Sequence, residues 1–298
     1  MKLFLPPVKR YDELLIEGLG IEVSGPRWDA ISVTGTKCWL MCRHCSAILL
    51  EYMRSVTSIS QLRKWIASEG LPRCVLVSGG CNSLGYVPLD SASNILRVLR
   101  ELGVSLYVHT GIVSPSIARL ARALGFRALM FDVFSSRCGS FVRNLRFYSE
   151  AAMLRALELC ERQNLPCVPH IVVGELCGEA SDEMDLIDLL ASYRVPQVNI
   201  VVFTPLPGSF FEWCSPPSHS YVSRVLKIAR DRLSSTRLVL GCMKPQWGRY
   251  RGLELEAADL GFDAIAAPSL ETIEVLARRG EARVFRGCCS SLVGEAYA

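Results

Sequence analysis

Cys38, Cys42 and Cys45 stand at a C-x3-C-x2-C spacing in the run Cys38-Trp39-Leu40-Met41-Cys42-Arg43-His44-Cys45. Thiolate sulfur is a soft donor that selects iron–sulfur clusters, zinc or copper(I) over hard cations. Three thiolates on one loop make a tripod, and a cubane iron–sulfur cluster held by three thiolates keeps its fourth iron open to a small ligand. The competing occupant is zinc, which takes four ligands, often as two Cys-x2-Cys pairs. Only Cys42 and Cys45 form such a pair, and no second pair follows at zinc-knuckle distance. Free cysteines also pack as small hydrophobes. The cluster reading is preferred because residues 30–34, apolar and β-branched with alternation, read as a strand just before the tripod. Trp39 and Met41, between the cysteines, shield such a cluster from water.

The chain around this loop alternates short apolar runs with helical ones. Eight strands are predicted, at 30–36, 73–78, 104–109, 127–133, 167–173, 197–203, 237–241 and 263–267. Amphipathic helices are predicted over 90–100 after an Asp90 cap, over 115–125 ending on Gly125, over about 147–163 and over about 218–233. Repeated strand–helix units imply a parallel sheet, and continuous apolar strands imply helices on the outside. The expected fold class is α/β, a (β/α)8 TIM-type barrel in a single domain. Its core covers about residues 28–280, with a cysteine-containing tail, 281–298, strapped over one end.

Chemistry in such barrels collects at the C-terminal strand ends. Unusual residues recur there: the tripod after the first strand, Ser78-Gly79-Gly80-Cys81 after the second, His109 on the third, Asp132 on the fourth and His170 on the fifth. The sixth ends in the Pro205-Leu206-Pro207-Gly208 turn and the seventh in Gly241-Cys242-Met243-Lys244-Pro245.

Composition narrows the field further. The chain has 298 residues, half of them hydrophobic, and a net charge of +4. It lacks a basic run with interleaved aromatics, so nucleic acid is not an expected partner. Pro6 and Pro7 break the N-terminal apolar stretch too early for a signal peptide. The longest charge-free apolar stretch, about 195–211, contains three prolines with Gln197 and Asn199, so no membrane span is expected. Thirteen cysteines without a secretion signal point to a reducing, cytoplasmic compartment and metal chemistry rather than a disulfide framework.

With the tripod and the strand ends together, the chain resembles the radical S-adenosylmethionine (SAM) enzymes, closest to the biotin synthase and lipoyl synthase branch and its archaeal members. The resemblance implies that Cys38, Cys42 and Cys45 ligate a [4Fe–4S] cluster whose open iron chelates SAM. His44 takes the usually aromatic place that contacts adenine, and Asp132 matches an acid that binds ribose. Ser78, Gly79 and Gly80 match a Gly-Gly-Glu motif that holds the SAM amino group, but Cys81 replaces the acid. His109 and His170 are candidates for lining the same cavity, equally well read as structural histidines. An electron entering the cluster, from a donor such as ferredoxin, would cleave SAM to a 5′-deoxyadenosyl radical.

Biotin and lipoyl synthases use a second, auxiliary iron–sulfur cluster as sulfur source, and the resemblance offers Cys81, Cys242, Cys288 and Cys289 as its ligands, with Ser290 or Ser291 as an oxygen donor. Cys138 and Cys177 are weaker candidates, Cys74, Cys160 and Cys167 read as core packing, and Cys214 is unassigned. The implied reaction is sulfur insertion into the octanoyl-lysine of a lipoyl carrier domain or H protein, shared with a paralogous subunit. The alternative is a rearrangement, cyclisation or methylation with no sacrificial cluster. Lys244 reads as half of a rim ion pair, and Glu179 and Glu183 as acids at a helix start.

Overall fold

A computed structural model describes residues 1–146 and 150–293. Twelve strands form one curled sheet, and every pairing in it is parallel. All eight predicted strands are present: β3 (Trp28–Ser32), β5 (Cys74–Ser78), β6 (Ser105–His109), β7 (Ala128–Val133), β8 (Cys167–Val173), β9 (Gln197–Val202), β10 (Arg237–Leu240) and β11 (Ala264–Ala266). They lie side by side in chain order, as a wound βα succession requires. The first ends at Ser32 rather than 36, because the chain turns at Gly35 and the Ser32 hydroxyl donates to the Gly35 carbonyl at 2.5 Å.

Among the described residues the strand count exceeds eight because both chain ends, and the internal pair Arg54–Ser55, add to the sheet. β1 (Lys2–Leu5) pairs with β11 on one side and with β12 (Arg283–Arg286) on the other, and β2 (Val23–Ser24) follows β12 at the edge. β4 (Arg54–Ser55) edges the other side next to β3. The apolar start of the chain is thus a strand, with Leu3 and Phe4 fully buried. The sheet's outer face is covered by helices, including α4 (Pro115–Leu124) and α7 (His219–Arg232), which start at Ser114 and Ser218 caps. Gly125 ends α4 in the left-handed conformation, as expected. α3 (Ser93–Glu101) begins after a turn over 90–92, so Asp90 is not its cap. α5 (Glu150–Arg162) falls within the fourth predicted helix, whose residues 147–149 lie outside the described ones.

The tail does more than strap an end. After β12 it enters the concave face of the sheet, where Ser290 and Ser291 are fully buried. Gln197 donates to the Cys289 carbonyl at 2.7 Å, Asn199 to the Ser290 hydroxyl at 3.2 Å, and Arg237 to the Leu292 carbonyl at 2.8 Å. Residues 294–298 lie outside the described ones.

Two cysteine pairs depart from the expected reducing chemistry: Cys160 is joined to Cys167, and Cys177 to Cys214. The short return from α5 to β8 brings Cys160 and Cys167 to a Cα separation of 6.0 Å, which sequence spacing alone does not reveal. The other pair ties the loop after β8 to the loop after β9. Among the described residues no helix is long and apolar enough to cross a membrane.

Lys244 is a buried pin rather than a rim residue. Its Nζ lies 3.0 Å from Glu254 and donates to the carbonyls of Gly241, Ala266 and Ala267. Burial pushes the Glu254 carboxyl up, but the Lys244 charge and several hydrogen bonds outweigh it and bring its pKa down to about 2. A depressed carboxyl stabilises above its unfolded value of about 4.3 and loses that contribution as pH falls toward the folded value. Glu254→Gln should cost about 3–5 kcal/mol, by stranding Lys244, and flatten stability across the acid limb. Urea unfolding at stepped pH measures both, and an unchanged acid limb would contradict the pairing.

Candidate functional site

The tripod loop leaves β3 and is fixed by backbone contacts to the turn after β5. Trp39 N–H donates to the Cys81 carbonyl at 2.9 Å, and Gly80 N–H donates to the Thr34 hydroxyl at 2.7 Å. Gly80 lies against the loop so closely that a Cβ there would meet the Lys37 carbonyl oxygen at 2.1 Å and Cys38 Cα at 2.5 Å. Only a residue without a side chain permits that approach. Met41, Ser46 and Ala47 take left-handed backbone conformations, so the loop coils tightly around the three thiols. Cys38, Cys42 and Cys45 pack against one apolar cluster that includes Leu40, Phe134, Val142, Phe203 and Phe211. Cys81 packs against the same cluster.

The thiols interact with one another. Cys42 donates to Cys45, which brings the Cys45 pKa down to about 4 against burial, with help from His44; the same bond and burial push Cys42 up. The pairing thus favours ionisation of Cys45, and the thiolate is the form in which cysteine binds metal. Arg43 lies between the exposed rings of Phe141 and Phe210 at 4.5 and 4.6 Å, and Trp39, Met41 and Trp213 are exposed as well.

Arg143 links this loop to the sheet interior. Its side chain is buried, with Nη1 2.6 Å from Asp132 Oδ2 and Nε 2.7 Å from Glu175 Oε1. Burial works against both charges, yet Asp132 is held well below the usual carboxylate range and Arg143 well above its own, because each faces an opposite charge. Nη2 and Nε of Arg143 are buried with no hydrogen-bond partner among the described residues, Nε facing Glu175 as an ion pair only. His44 Nδ1 lies 3.4 Å from Glu175 Oε1. Burial opposes protonation of His44, but the Cys45 hydrogen bond and the charges of Cys45 and Glu175 raise its pKa. Arg143→Met should leave two carboxylates uncompensated, costing about 3–5 kcal/mol. A urea midpoint unmoved by the substitution would show that the three charges do not form one unit.

Arg143 and Glu175 were not predicted as site residues. Their signal was an arginine and an acid beside apolar runs; only the fold joins residues so far apart in sequence. Glu183, read as a helix-start acid, is indeed the first residue of the helix Glu183–Ala191, and it also braces the turn after β8: it accepts from Gly174 N–H at 2.7 Å, Ser181 N–H at 2.8 Å and the Tyr221 hydroxyl at 2.5 Å. Ser78 donates to the His109 carbonyl at 3.2 Å and so is a brace as well.

A polar row crosses the interior. Parallel register sets Asp132 of β7 beside His170 of β8, and His170 beside Asn199 of β9. His109 Nε2 lies 3.4 Å from Asp132 Oδ1, and the rings of His109 and His170 are 5.4 Å apart. Burial, with the His109 charge, brings the His170 pKa down to about 4, so its imidazole is neutral at pH 7.

The four proposed auxiliary-cluster cysteines do not meet at one point. Cys81 belongs to the tripod cluster. Cys242 and Cys289 hydrogen-bond to each other, which lowers the Cys242 pKa to about 6 and raises that of Cys289. Cys289 Sγ is also 3.4 Å from His170 Nε2. Cys288 packs with Trp28 and Cys74, the first residues of β3 and β5, whereas the tripod and Cys81 follow the ends of those strands. That is a strand length, about 15 Å, so one cluster cannot take both Cys81 and Cys288. Cys138 is buried beside Phe134 and Val142, while Cys177 and Cys214 are consumed by their disulfide.

The sequence matches no protein-family model and no curated protein. Its fold matches solved structures. A methylornithine synthase (PylB) shares 12% identity at a TM-score of 0.58, over 88% of this chain and 80% of that one. The FeFe-hydrogenase maturase HydG from Carboxydothermus hydrogenoformans shares 16% at a TM-score of 0.59, over 91% and 72%. An HMG-CoA lyase from Brucella melitensis shares 11% at a TM-score of 0.52, over 92% and 96%. This chain spans only 62% of another HydG structure. At these identities the likeness establishes the fold, and it extends to proteins named for different reactions.

Proposed function

We propose that the chain is a radical SAM enzyme, with Cys38, Cys42 and Cys45 holding a [4Fe–4S] cluster and SAM at its fourth iron. The observation that carries the proposal is the three thiols on one coiled loop, packed on one apolar cluster and backed by the side-chain-free surface of Gly80. The residues fit the group: the donors are soft, the pairing with Cys42 favours the Cys45 thiolate, and the buried Arg143 guanidinium has an unmet hydrogen-bond capacity suited to a carboxylate or hydroxyl. When bound, the pair supplies a radical that takes hydrogen from an unactivated carbon. The chain's own residues then have defined tasks. Arg143 presents its unpaired donors to the cosubstrate while Nη1 is held by Asp132 and the guanidinium is ion-paired to Glu175. His44 lies beside Cys45 for contact with the adenine.

Within this reading we assign sulfur insertion into an octanoyl-lysine chain, as one lipoyl synthase component acting on a lipoyl domain or H protein. An electron donor such as ferredoxin and a paralogous subunit are its proposed partners. The adjacent Cys242 and Cys289, on the interior side, support it as candidate auxiliary-cluster ligands. The separation of Cys81 and Cys288 favours a second reading, a rearrangement or methylation that needs no second cluster. Anaerobically reconstituted protein with SAM, dithionite and an octanoyl-lysine peptide separates these. Release of 5′-deoxyadenosine with a peptide gaining one or two sulfurs supports sulfur insertion. Release without sulfur transfer supports the second reading, and no release overturns radical SAM chemistry.

A further inference from the structure

We propose that His109, Asp132 and His170 form a binding site for a single first-row divalent metal ion of the zinc or iron(II) class, separate from the cysteine tripod. One ligand atom from each residue lies within 4.8 Å of those from the other two. His109 Nε2 and Asp132 Oδ1 are already 3.4 Å apart, about the spacing of two donors each 2.0–2.1 Å from a tetrahedral ion. Two imidazoles and one carboxylate are the donor set of open zinc and iron(II) sites, which retain positions for an exogenous oxygen ligand.

The surroundings prepare each donor. His170 Nδ1 lies 3.1 Å from the Val168 carbonyl, which fixes the proton there. Its Nε2 is consequently the lone-pair nitrogen, consistent with the Asn199 amide 2.9 Å away, which donates to it. A backbone carbonyl orienting a ligating imidazole in this way is the usual outer-sphere arrangement of metal sites. Asp132 divides its oxygens: Oδ2 accepts from Arg143 at 2.6 Å, leaving Oδ1 turned to His109. The side chains of His109 and Asp132 are 30% and 18% exposed, so an ion can enter. Parallel register fixes two of the three donors side by side on β7 and β8, and His109 closes the set from the end of β6. A rigid sheet therefore holds the donors, as a metal site demands.

An ion here would bind a carboxylate, carbonyl or hydroxyl oxygen of the substrate and fix its position in the interior. Asn199 would turn its amide to the tail, where it already donates to Ser290. The site does not depend on the cluster proposal, and the two fail separately: iron accompanied by acid-labile sulfide reports the tripod, and zinc with nitrogen and oxygen neighbours reports the triad.

The test is zinc binding to the anaerobically reconstituted full chain. Zinc is added, excess is removed by gel filtration, and the protein is analysed by mass spectrometry for metals and by zinc-edge X-ray absorption. One zinc per chain with nitrogen and oxygen neighbours at about 2.0–2.1 Å is expected. It should be retained in the Cys242→Ser/Cys289→Ser double variant. His109→Ala, at the half-buried member, and Asp132→Asn should each weaken zinc binding by at least tenfold while cluster iron stays unchanged. His170→Gln provides a third variant, read by the same spectrum. No bound zinc, sulfur neighbours at about 2.3 Å, or full zinc retention in His109→Ala and Asp132→Asn would overturn the proposal.

Discussion

Gly80→Ala is expected to abolish cluster assembly. The added methyl would sit 2.1 Å from the Lys37 carbonyl oxygen and 2.6 Å from Cys38 Cβ. Both are parts of the tripod loop, and the nearer is backbone, which cannot rotate away. The loop must move by an ångström or more, and Trp39 N–H then loses its bond to the Cys81 carbonyl. Overpacking of this kind costs about 1–3 kcal/mol, and displacement of a cysteine costs a ligand as well. Gly79→Ala is the control, since its Cβ would meet the side chains of Thr34 and Val87 at 3.1 and 3.2 Å. It should bind iron at nearly the unaltered level. Iron and sulfide analysis after anaerobic reconstitution measures both variants; equal iron in Gly80→Ala would show that the turn does not set the tripod.

Cys42→Ala carries the second large effect. Cys42 is the most buried of the three thiols, and it packs on the apolar cluster beneath the loop. Removing one sulfur should cost fold stability only about 1–2 kcal/mol. Loss of one of three thiolates should take iron from about four per chain to nearly none, and with it all 5′-deoxyadenosine formation. Circular dichroism checks that the fold survives, so that the iron loss reports ligation. Full cluster content in Cys42→Ala would place the cluster elsewhere, Cys81 being the nearest substitute in the same apolar cluster.

The grouping of the three thiols was legible because they fall within eight consecutive residues, so no long-range knowledge was needed. The central strands were legible because burial on both faces leaves uninterrupted apolar runs, as in Val75-Leu76-Val77 and Ile200-Val201-Val202. β1 and β12 were not, since a four-residue strand beside two prolines, or between arginines, carries no distinct pattern. Asp132 and His170 were legible singly, as polar residues in apolar strands, but register alone shows that they are neighbours. Arg143 and Glu175 needed the third dimension, as did both disulfides. Cys288 immediately precedes Cys289, so sequence treated them alike; the chain buries one beside Trp28 and turns the other toward His170.

The central claim is that the tripod leaves one iron open to SAM. The most direct measurement is the electron paramagnetic resonance spectrum of the dithionite-reduced, reconstituted protein before and after SAM is added. A shift in the g-values of a [4Fe–4S]+ signal, lost in Cys42→Ala, is the expected result. An intact signal that SAM leaves unchanged, or a tripod filled by zinc with no such signal, would contradict it.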